Sequence, residues 1–198
     1  TEVIVTLSYT DADAGDEATT CSIGSVTNGT VTTACLCVAG TCTVGITPDT
    51  NATDDMTTTY TVHDGDIDSN SANMTISITP INDLPAGADD EVTTLEDTDV
   101  DFVTGDFSYS DIETSSIQGI KVTSLETAGW LYVDVEDNGS MDPGEHVTTN
   151  QEISAADIDK LRFKPVSNAN GNDYDTFSFK VYDGTDYSTT GYTMTVNV

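Results

Sequence analysis

FKVYDG at residues 179–184 and YTVHDG at residues 60–65 are two copies of one pattern. A second pair, LSYTD at residues 7–11 and FSYSD at residues 107–111, occurs in the same order along the chain. The LSYTD pair is offset by 100 residues and the YTVHDG pair by 119, so the second copy carries an insertion of 19 residues. A repeat of about 100 residues that contains only strand signals predicts tandem β-sandwiches.

Strand signals dominate both copies. Each copy ends with an alternating stretch, MTISI at residues 74–78 and MTVNV at residues 194–198. Apolar residues alternate with Thr and Ser through most of the chain, which is typical of half-buried strands. We expect one helical turn at residues 154–158, where a Ser precedes good helix formers. The predicted fold class is therefore all-β.

The boundary between the copies is predicted from two prolines, Pro80 and Pro85, which stiffen the chain. We expect a first domain at residues 1–80, a linker at residues 81–87 and a second domain at residues 88–198. The first copy lacks a counterpart of residues 88–100, the opening strand of the second copy. We expect either that the chain is a fragment or processed product that starts after this strand, or that a neighbouring subunit supplies the strand.

The charge balance restricts the partners. The chain has 35 acidic residues against 5 Lys and Arg, a net charge of −30, and its first 80 residues contain neither Lys nor Arg. This charge repels nucleic acid and anionic lipid, and there is no apolar run of about 18 residues. We expect no nucleic-acid binding and no membrane insertion. Bound divalent cations would offset the self-repulsion of a folded domain this acidic.

All four cysteines lie between residues 21 and 42, which indicates two disulfides and an oxidising compartment. Their spacing lacks the Cys-x2-Cys pair that is common in zinc sites. Ala39-Gly40 is typical of a two-residue hairpin turn, which places Cys37 opposite Cys42. Four cysteines allow three pairings, and we favour Cys37–Cys42 with Cys21–Cys35.

Residues 134–145, with the sequence DVEDNGSMDPGE, match a 12-residue calcium loop of the EF-hand type. Gly139 occupies position 6, where a sharp turn requires a residue without a Cβ. The flanking segments have strand character, so we expect the loop alone without the usual helices. The alternative is a solvated acidic turn. The predicted calcium ligands are Asp134, Glu136, Asn138, Ser140, Asp142 and Glu145.

The linker PINDLP at residues 80–85, LEDT at 95–98, QEISAADI at 151–158 and TFSFKVYDG at 176–184 together resemble cadherin-like tandem repeats of large bacterial surface adhesins. The resemblance covers nearly all of the second copy and the ends of the first, whereas the cysteine region departs from it. It implies Greek-key β-sandwiches of the cadherin or Ig-like type, strung end to end with Ca2+ at the junctions.

The resemblance also implies junction ligands. In such repeats a linker motif and an acidic pair in the following domain share calcium. Alternatively, the same residues make only local hydrogen bonds in turns. The implied ligands are Asn82 and Asp83 in the linker, Asp111 and Glu113 in the second copy, Asp11 and Asp13 at their equivalents in the first copy, and Asp64 and Asp66 at the end of the first copy.

The function predicted from the sequence is a calcium-rigidified extender segment of a bacterial cell-surface adhesin, located outside the cell. No catalytic motif is present, so we expect no enzyme activity. The expected partners are neighbouring domains or subunits of the same protein, and a surface glycan or protein receptor. One alternative is a filament subunit whose neighbour donates the missing strand. Another is a carbohydrate-binding module of a secreted enzyme, in which Trp130 and Tyr132 point outward and contact the ligand.

Overall fold

The computed structural model describes residues 1–12 and 15–198 of the chain. They form two compact units, Thr1–Ile81 (unit 1) and Asn82–Val198 (unit 2). Nearly all regular structure is β, which agrees with the alternating pattern of the sequence. The helices of the described residues are the short 3₁₀ segments Thr104–Asp106 and Ala155–Lys160. None of them has the length and apolar character that crossing a bilayer requires.

Unit 1 is a sandwich of two antiparallel sheets with the strand orders β1–β4–β3 and β2–β5–β6. Its core contains Val44 and Ile46 of β4 and Met56 and Val62 of β5. Within the described residues, the strands of unit 1 are β1 (Val3–Thr6), β2 (Thr20–Ile23), β3 (Gly29–Val38), β4 (Thr41–Pro48), β5 (Met56–His63) and β6 (Ala72–Ile76).

Two disulfides hold unit 1 together, and their pairing confirms the favoured one. Cys37 lies directly opposite Cys42 across the β3–β4 hairpin and is bonded to it. Ala39 and Gly40 form the connecting turn with φ values of 48° and 74°, as a two-residue hairpin turn requires. Cys21 is bonded to Cys35 and thereby joins β2 of one sheet to β3 of the other.

Unit 2 is a larger sandwich with the strand orders β10–β12–β8 and β11–β9–β13–β14–β7. All neighbouring strands are antiparallel except β7, which runs parallel to β14. Phe102, Phe107, Phe177 and Phe179 are almost completely buried at the centre of the core. The strands are β7 (Asp90–Thr93), β8 (Val100–Asp101), β9 (Gly119–Ser124), β10 (Trp130–Val133), β11 (Glu152–Ser154), β12 (Leu161–Lys164), β13 (Asp175–Tyr182) and β14 (Tyr192–Asn197).

The two units have matching strands. YTVHDG ends β5 and FKVYDG ends β13, while β6 and β14 follow them as the last strands of their units. Ala39 and Gly40 connect β3 to β4, whereas residues 134–160 connect the corresponding strands β10 and β12. The inserted residues of the second copy therefore include the 134–145 loop and the predicted helical turn, which is present as the 3₁₀ segment Ala155–Lys160. Strand β7 has no counterpart in the described part of unit 1.

Candidate calcium sites

Asp134 fixes the turn of the 134–145 loop. It lies immediately after β10 and is fully buried. Its carboxylate accepts hydrogen bonds from the backbone N–H groups of Asn138, at 3.0 Å, and Gly139, at 2.7 Å. Gly139 has a φ of +76°, a conformation that favours glycine. The first residue of the loop motif thus closes the turn through its side chain.

Glu145 closes the other end of the loop. Its side chain is nearly buried, and one carboxylate oxygen accepts a hydrogen bond of 2.8 Å from the Val135 N–H. The other oxygen accepts one of 2.7 Å from the Asp142 N–H. In addition, the Val133 N–H donates to the Glu145 carbonyl oxygen at 3.0 Å. These bonds hold both Glu145 oxygens against the middle of the loop.

The acidic side chains of the loop converge. Carboxylate oxygens of Glu136, Asp142 and Glu145 all lie within 4.8 Å of one another, and the Asn138 amide donates to Asp142 at 2.8 Å. The nearby charges of Asp142, and then of Glu145, raise the pKa of Glu136. A set of hard oxygen donors at this spacing fits Ca2+. Ser140, at position 7, donates its backbone N–H to the Asn138 side chain, and the role of its carbonyl stays a prediction.

Arg162 is a residue of this region that the sequence did not single out. Its guanidinium group lies 3.4 Å from the Asp134 carboxylate and 3.6 Å from that of Asp137. Burial raises the pKa of Asp134. Hydrogen bonds from the N–H groups of Gly139 and Asn138, together with the charge of Arg162, lower this pKa by more, so the net shift is downward. Asp134 is therefore ionised, and its predicted role as a calcium ligand, like that of Asn138, stays a prediction.

A second group of acidic side chains surrounds the linker residues at the start of unit 2. The Asn82 side-chain amide donates to the carboxylates of Asp183, at 3.1 Å, and Asp186, at 3.3 Å. The Asp83 backbone N–H donates to the Glu113 carboxylate at 3.0 Å. We call this group the linker cluster. It consists of Asn82, Asp83, Asp111, Glu113, Asp183 and Asp186.

The linker cluster contains buried oxygen atoms that lack a partner. One Asp111 oxygen accepts hydrogen bonds from the N–H groups of Glu113 and Thr114, but its other oxygen is buried without a hydrogen bond within the described residues. The Tyr109 hydroxyl is likewise buried without a hydrogen bond within the described residues. Burial, then the charges of Asp111, Asp183 and Glu113, raise the pKa of Tyr109 to about 12. Buried polar atoms are normally paired, so this arrangement fits a bound cation.

Among the described residues no Lys or Arg forms an ion pair with the linker cluster: Lys121, Lys160 and Arg162 pair with other carboxylates, and the Lys180 ammonium donates to the Thr189 carbonyl oxygen. Asp183 is nevertheless buried and ionised. Burial raises its pKa, but hydrogen bonds from the N–H groups of Asp186 and Thr185 and from Asn82 lower it by more. The ligand types, carboxylate and amide oxygens without nitrogen or sulfur donors, suit Ca2+.

Asp183 and Asp186 were missed by the sequence prediction. The repeat contained the signal for Asp183, because aligning FKVYDG with YTVHDG places Asp183 opposite Asp64, which was predicted. Asp64 and Asp183 cap the same kind of turn. Asp64 accepts hydrogen bonds from the N–H groups two and three residues ahead, and Asp183 does the same. Nothing in the repeat indicates Asp186, because its counterpart is Ile67.

Unit 1 has an equivalent acidic position. Asp11 and Asp64 line one cavity of about 170 Å³, together with Tyr9, which corresponds to Tyr109. Asp66 is exposed on the same turn, and its predicted role as a ligand stays a prediction. Asp13 lies outside the described residues. Unit 1 therefore repeats the Tyr–Asp–Asp arrangement of the linker cluster.

The prediction that Tyr132 points outward to contact a ligand is wrong. Tyr132 is fully buried, and its hydroxyl donates a hydrogen bond of 2.6 Å to Asp99. On β10, Tyr132 lies between His146, with which it pairs, and Arg162, its partner on β12. Trp130 is 38% exposed, so of the two aromatic residues only Trp130 reaches the surface.

Comparison with solved structures supports the fold. The chain is similar to the crystal structure of human mucin-like protocadherin EC1-2, with a TM-score of 0.53 and 17% identity, over 90% of this chain and 83% of that one. The all-β fold class, with two cadherin-like β-sandwiches in tandem, is thereby confirmed.

Two endo-fucoidan hydrolases from glycoside hydrolase family 107 also align, at 17% and 15% identity. The alignments cover 92% and 99% of this chain but 24% and 28% of those enzymes, with TM-scores of 0.28 and 0.31, too low to support an argument. No family model matches the sequence, and no curated protein matches it significantly.

Proposed function

We propose that this chain is a calcium-stiffened extender segment of a bacterial cell-surface adhesin and that it has no enzyme activity. The observation that carries the proposal is the linker cluster, in which the buried carboxylate of Asp183 contacts Asn82, and Asp111 has a buried oxygen without a hydrogen bond. The expected partners are neighbouring domains or subunits, and a receptor protein or glycan at the cell surface.

The position of the linker cluster explains how a cation would stiffen the chain. Asn82 and Asp83 belong to the linker, whereas Asp111, Glu113 and Asp183 are fixed by turns within unit 2. Ca2+ that binds both sets would hold the linker at the point where the chain enters unit 2. Without Ca2+ the carboxylates repel one another, and the start of the linker is held only by hydrogen bonds such as those of Asn82 and Asp83.

The size of the calcium effect follows from linkage. Extracellular calcium sites have dissociation constants of roughly 10⁻⁴–10⁻³ M. At about 1 mM free Ca2+ and a constant near 10⁻⁴ M, each site contributes about 1.4 kcal/mol to stability. Sites in the linker cluster and in the 134–145 loop would together be a substantial part of a typical stability of about 5–15 kcal/mol.

An extracellular location is supported by the disulfides and by the fold. Both disulfides lie in unit 1, where they require an oxidising compartment. The cadherin-like fold is shared with the human mucin-like protocadherin EC1-2 structure. An acidic surface with a net charge of −30 also remains soluble and unattached to anionic membranes.

Small-angle scattering in about 2 mM Ca2+ and in the presence of a chelator tests the proposal. This Ca2+ concentration is of the order needed to fill extracellular sites. We expect a narrow distribution of interatomic distances with Ca2+ and a broader one without it. Asp83→Ala should broaden the distribution even with Ca2+, because it removes a linker ligand. Glu145→Gln is the control, since it affects the 134–145 loop and leaves the linker cluster intact. If chelation changes neither the distance distribution nor the melting temperature, calcium does not stiffen this protein.

A further inference from the structure

Arg162 connects the 134–145 loop to a neighbouring strand. The residue lies on β12, directly opposite Asp101 of β8, and its side chain is only 17% exposed. The guanidinium Nε is 3.3 Å from the Asp101 carboxylate and 3.4 Å from that of Asp134, and Nη2 is 3.6 Å from that of Asp137. One largely buried cation is therefore shared by a strand of the sheet and by two residues of the loop.

The loop itself contains no positive charge. Residues 134–145 include five acidic residues and neither Lys nor Arg. Asp134, the first of them, is fully buried, and a buried carboxylate that lacks a counter-charge is strongly destabilising. The backbone N–H groups that donate to Asp134 supply dipoles but no charge. Within the described residues, Arg162 is the only basic residue that forms ion pairs with the loop.

The turn of the loop packs against the guanidinium group. A Cβ on Gly139 would lie 3.7 Å from Arg162 Nη1, so the backbone of the turn lies beside the cation. The Asp134 N–H donates to the Lys160 carbonyl oxygen at 2.9 Å, which attaches the start of the loop to the residue just before β12. The Asp134 carboxylate in turn accepts the N–H groups of Asn138 and Gly139. The cation, the buried carboxylate and the turn thus form one connected unit.

The other carboxylates near the candidate calcium sites have no such partner. Glu136, Asp142 and Glu145 converge within 4.8 Å of one another, and among the described residues no ion pair joins them to Arg162. The linker cluster likewise forms no ion pair with Lys or Arg in the described part of the chain. Charge compensation by the protein itself is therefore confined to the part of the loop that forms the turn.

We propose that Arg162 is a built-in counter-ion that keeps the 134–145 loop folded in the absence of Ca2+. The buried Asp134 carboxylate has its positive partner before any metal ion binds, and the turn at Gly139 is already formed. A site that is ordered beforehand loses less conformational entropy when its ion binds. The inference deepens the proposed calcium function and rests on it for the identity of the ion, whereas the order of the calcium-free loop can be measured without any metal.

A role of Arg162 in packing alone predicts a different result from a role of its charge. Arg162→Met leaves the buried Asp134 carboxylate without a counter-charge, which is the costly case. Adding Asp134→Asn removes that charge, while the remaining side-chain oxygen still accepts the backbone N–H groups. If the charge matters, the second substitution therefore compensates for the first, and a double-mutant cycle measures the compensation. If Arg162 only fills space, Asp134→Asn compensates for nothing.

Amide hydrogen exchange of the full chain in chelator, followed by NMR, tests the proposal. In the unsubstituted chain we expect the N–H groups of Asn138 and Gly139, which donate to Asp134, to be protected without Ca2+. Arg162→Met should make both exchange about ten-fold faster or more in chelator, because a buried charge loses its partner, and Ca2+ should restore their protection. Arg162→Lys keeps the charge and should retain most of the protection in chelator.

Two further variants separate the charge of Arg162 from other effects. The Asp134→Asn, Arg162→Met double variant should exchange more slowly than Arg162→Met. Lys164→Met is the matched control and should exchange like the unsubstituted chain, because Lys164 is an exposed cation of the same strand that forms no ion pair within the described residues. Should Arg162→Met unfold in chelator, Arg162→Lys and the double variant must still fold for the proposal to stand.

Three results would overturn the proposal: unprotected loop amides in the unsubstituted chain without Ca2+, equal exchange in Arg162→Met and Lys164→Met, or a double variant that exchanges as fast as Arg162→Met. Failure of the calcium function has a different signature. If Ca2+ slows exchange in none of the variants while the differences between them in chelator remain, the loop binds no calcium and the role of Arg162 as its counter-ion stands.

Discussion

The side-chain amide of Asn82 donates a hydrogen bond of 3.1 Å to the buried carboxylate of Asp183, although 101 residues separate the two in sequence. Asp183 lies in the turn after β13, and Asn82 lies in the linker. The bond therefore attaches the beginning of unit 2 to a turn near its end. Around this contact, Asp111 and Tyr109 contribute the buried oxygen atoms without partners that a cation would pair.

Replacing Asp183 should weaken calcium binding in the linker cluster. Asp183→Asn keeps an oxygen for the backbone N–H donors but removes one negative charge, so we expect at least ten-fold weaker binding at one site and little change of the calcium-free melting temperature. Calorimetric titration measures the first quantity and a thermal scan the second. Asp159→Asn, an exposed residue of a 3₁₀ segment, is the control for charge. Equal binding by both variants would contradict a cation site at Asp183.

Glu145→Gln should remove one calcium ion from the 134–145 loop and leave the linker cluster unaffected. Both carboxylate oxygens of Glu145 lie in the loop, and an amide cannot replace them as a bidentate anionic ligand. Calcium stoichiometry by calorimetry is the measurement, with the exposed Glu96→Gln as control. An unchanged stoichiometry in Glu145→Gln would show that residues 134–145 form only a solvated acidic turn.

Calcium should change the titration of Glu136. The charges of Asp142 and Glu145 raise its pKa in the calcium-free protein, so it binds a proton at a higher pH than an ordinary Glu. A bound cation favours the ionised form and should lower this pKa, and acidification should correspondingly weaken calcium binding through proton competition. Carboxyl 13C NMR with and without calcium measures the shift. Identical Glu136 titrations in the two conditions would exclude Glu136 as a ligand.

The disulfides should stabilise unit 1 unequally. Cys21 and Cys35 are 14 residues apart and join two sheets, whereas Cys37 and Cys42 are 5 residues apart within one hairpin. The chain-entropy model predicts that the Cys21→Ser, Cys35→Ser double variant loses about 3 kcal/mol of unfolding free energy. It predicts a loss of about 2 kcal/mol for the Cys37→Ser, Cys42→Ser double variant. Calorimetric unfolding measures both losses.

The fluorescence of Trp130, the single Trp, provides an internal control because it reports on unit 2. Its unfolding midpoint should stay constant in both double variants. A larger loss on removing Cys37–Cys42 than on removing Cys21–Cys35 would contradict the role of the inter-sheet bond.

Local patterns explain why the sequence predicted the strands and the hairpin disulfide. Along β13, Phe177, Phe179 and Val181 alternate with polar residues, and alternation depends on neighbouring residues alone. The Ala39-Gly40 turn fixes Cys37 opposite Cys42 by the same kind of local rule. Tyr132 was misassigned because alternation gives only the face of a strand, whereas its burial depends on distant residues such as Asp99, which accepts its hydroxyl hydrogen bond.

The sequence by itself determined the repeat, the all-β class, the hairpin disulfide and the acidic segments from which cation ligands could come, since each depends on residues close together in the chain. The tertiary structure decided which acids meet. Asn82 reaches Asp183 and Asp186 only because the β13–β14 turn lies beside the start of unit 2. It also decided which strands are neighbours, such as the parallel pair of β7 and β14, since strand order is set by packing of sheets across the core.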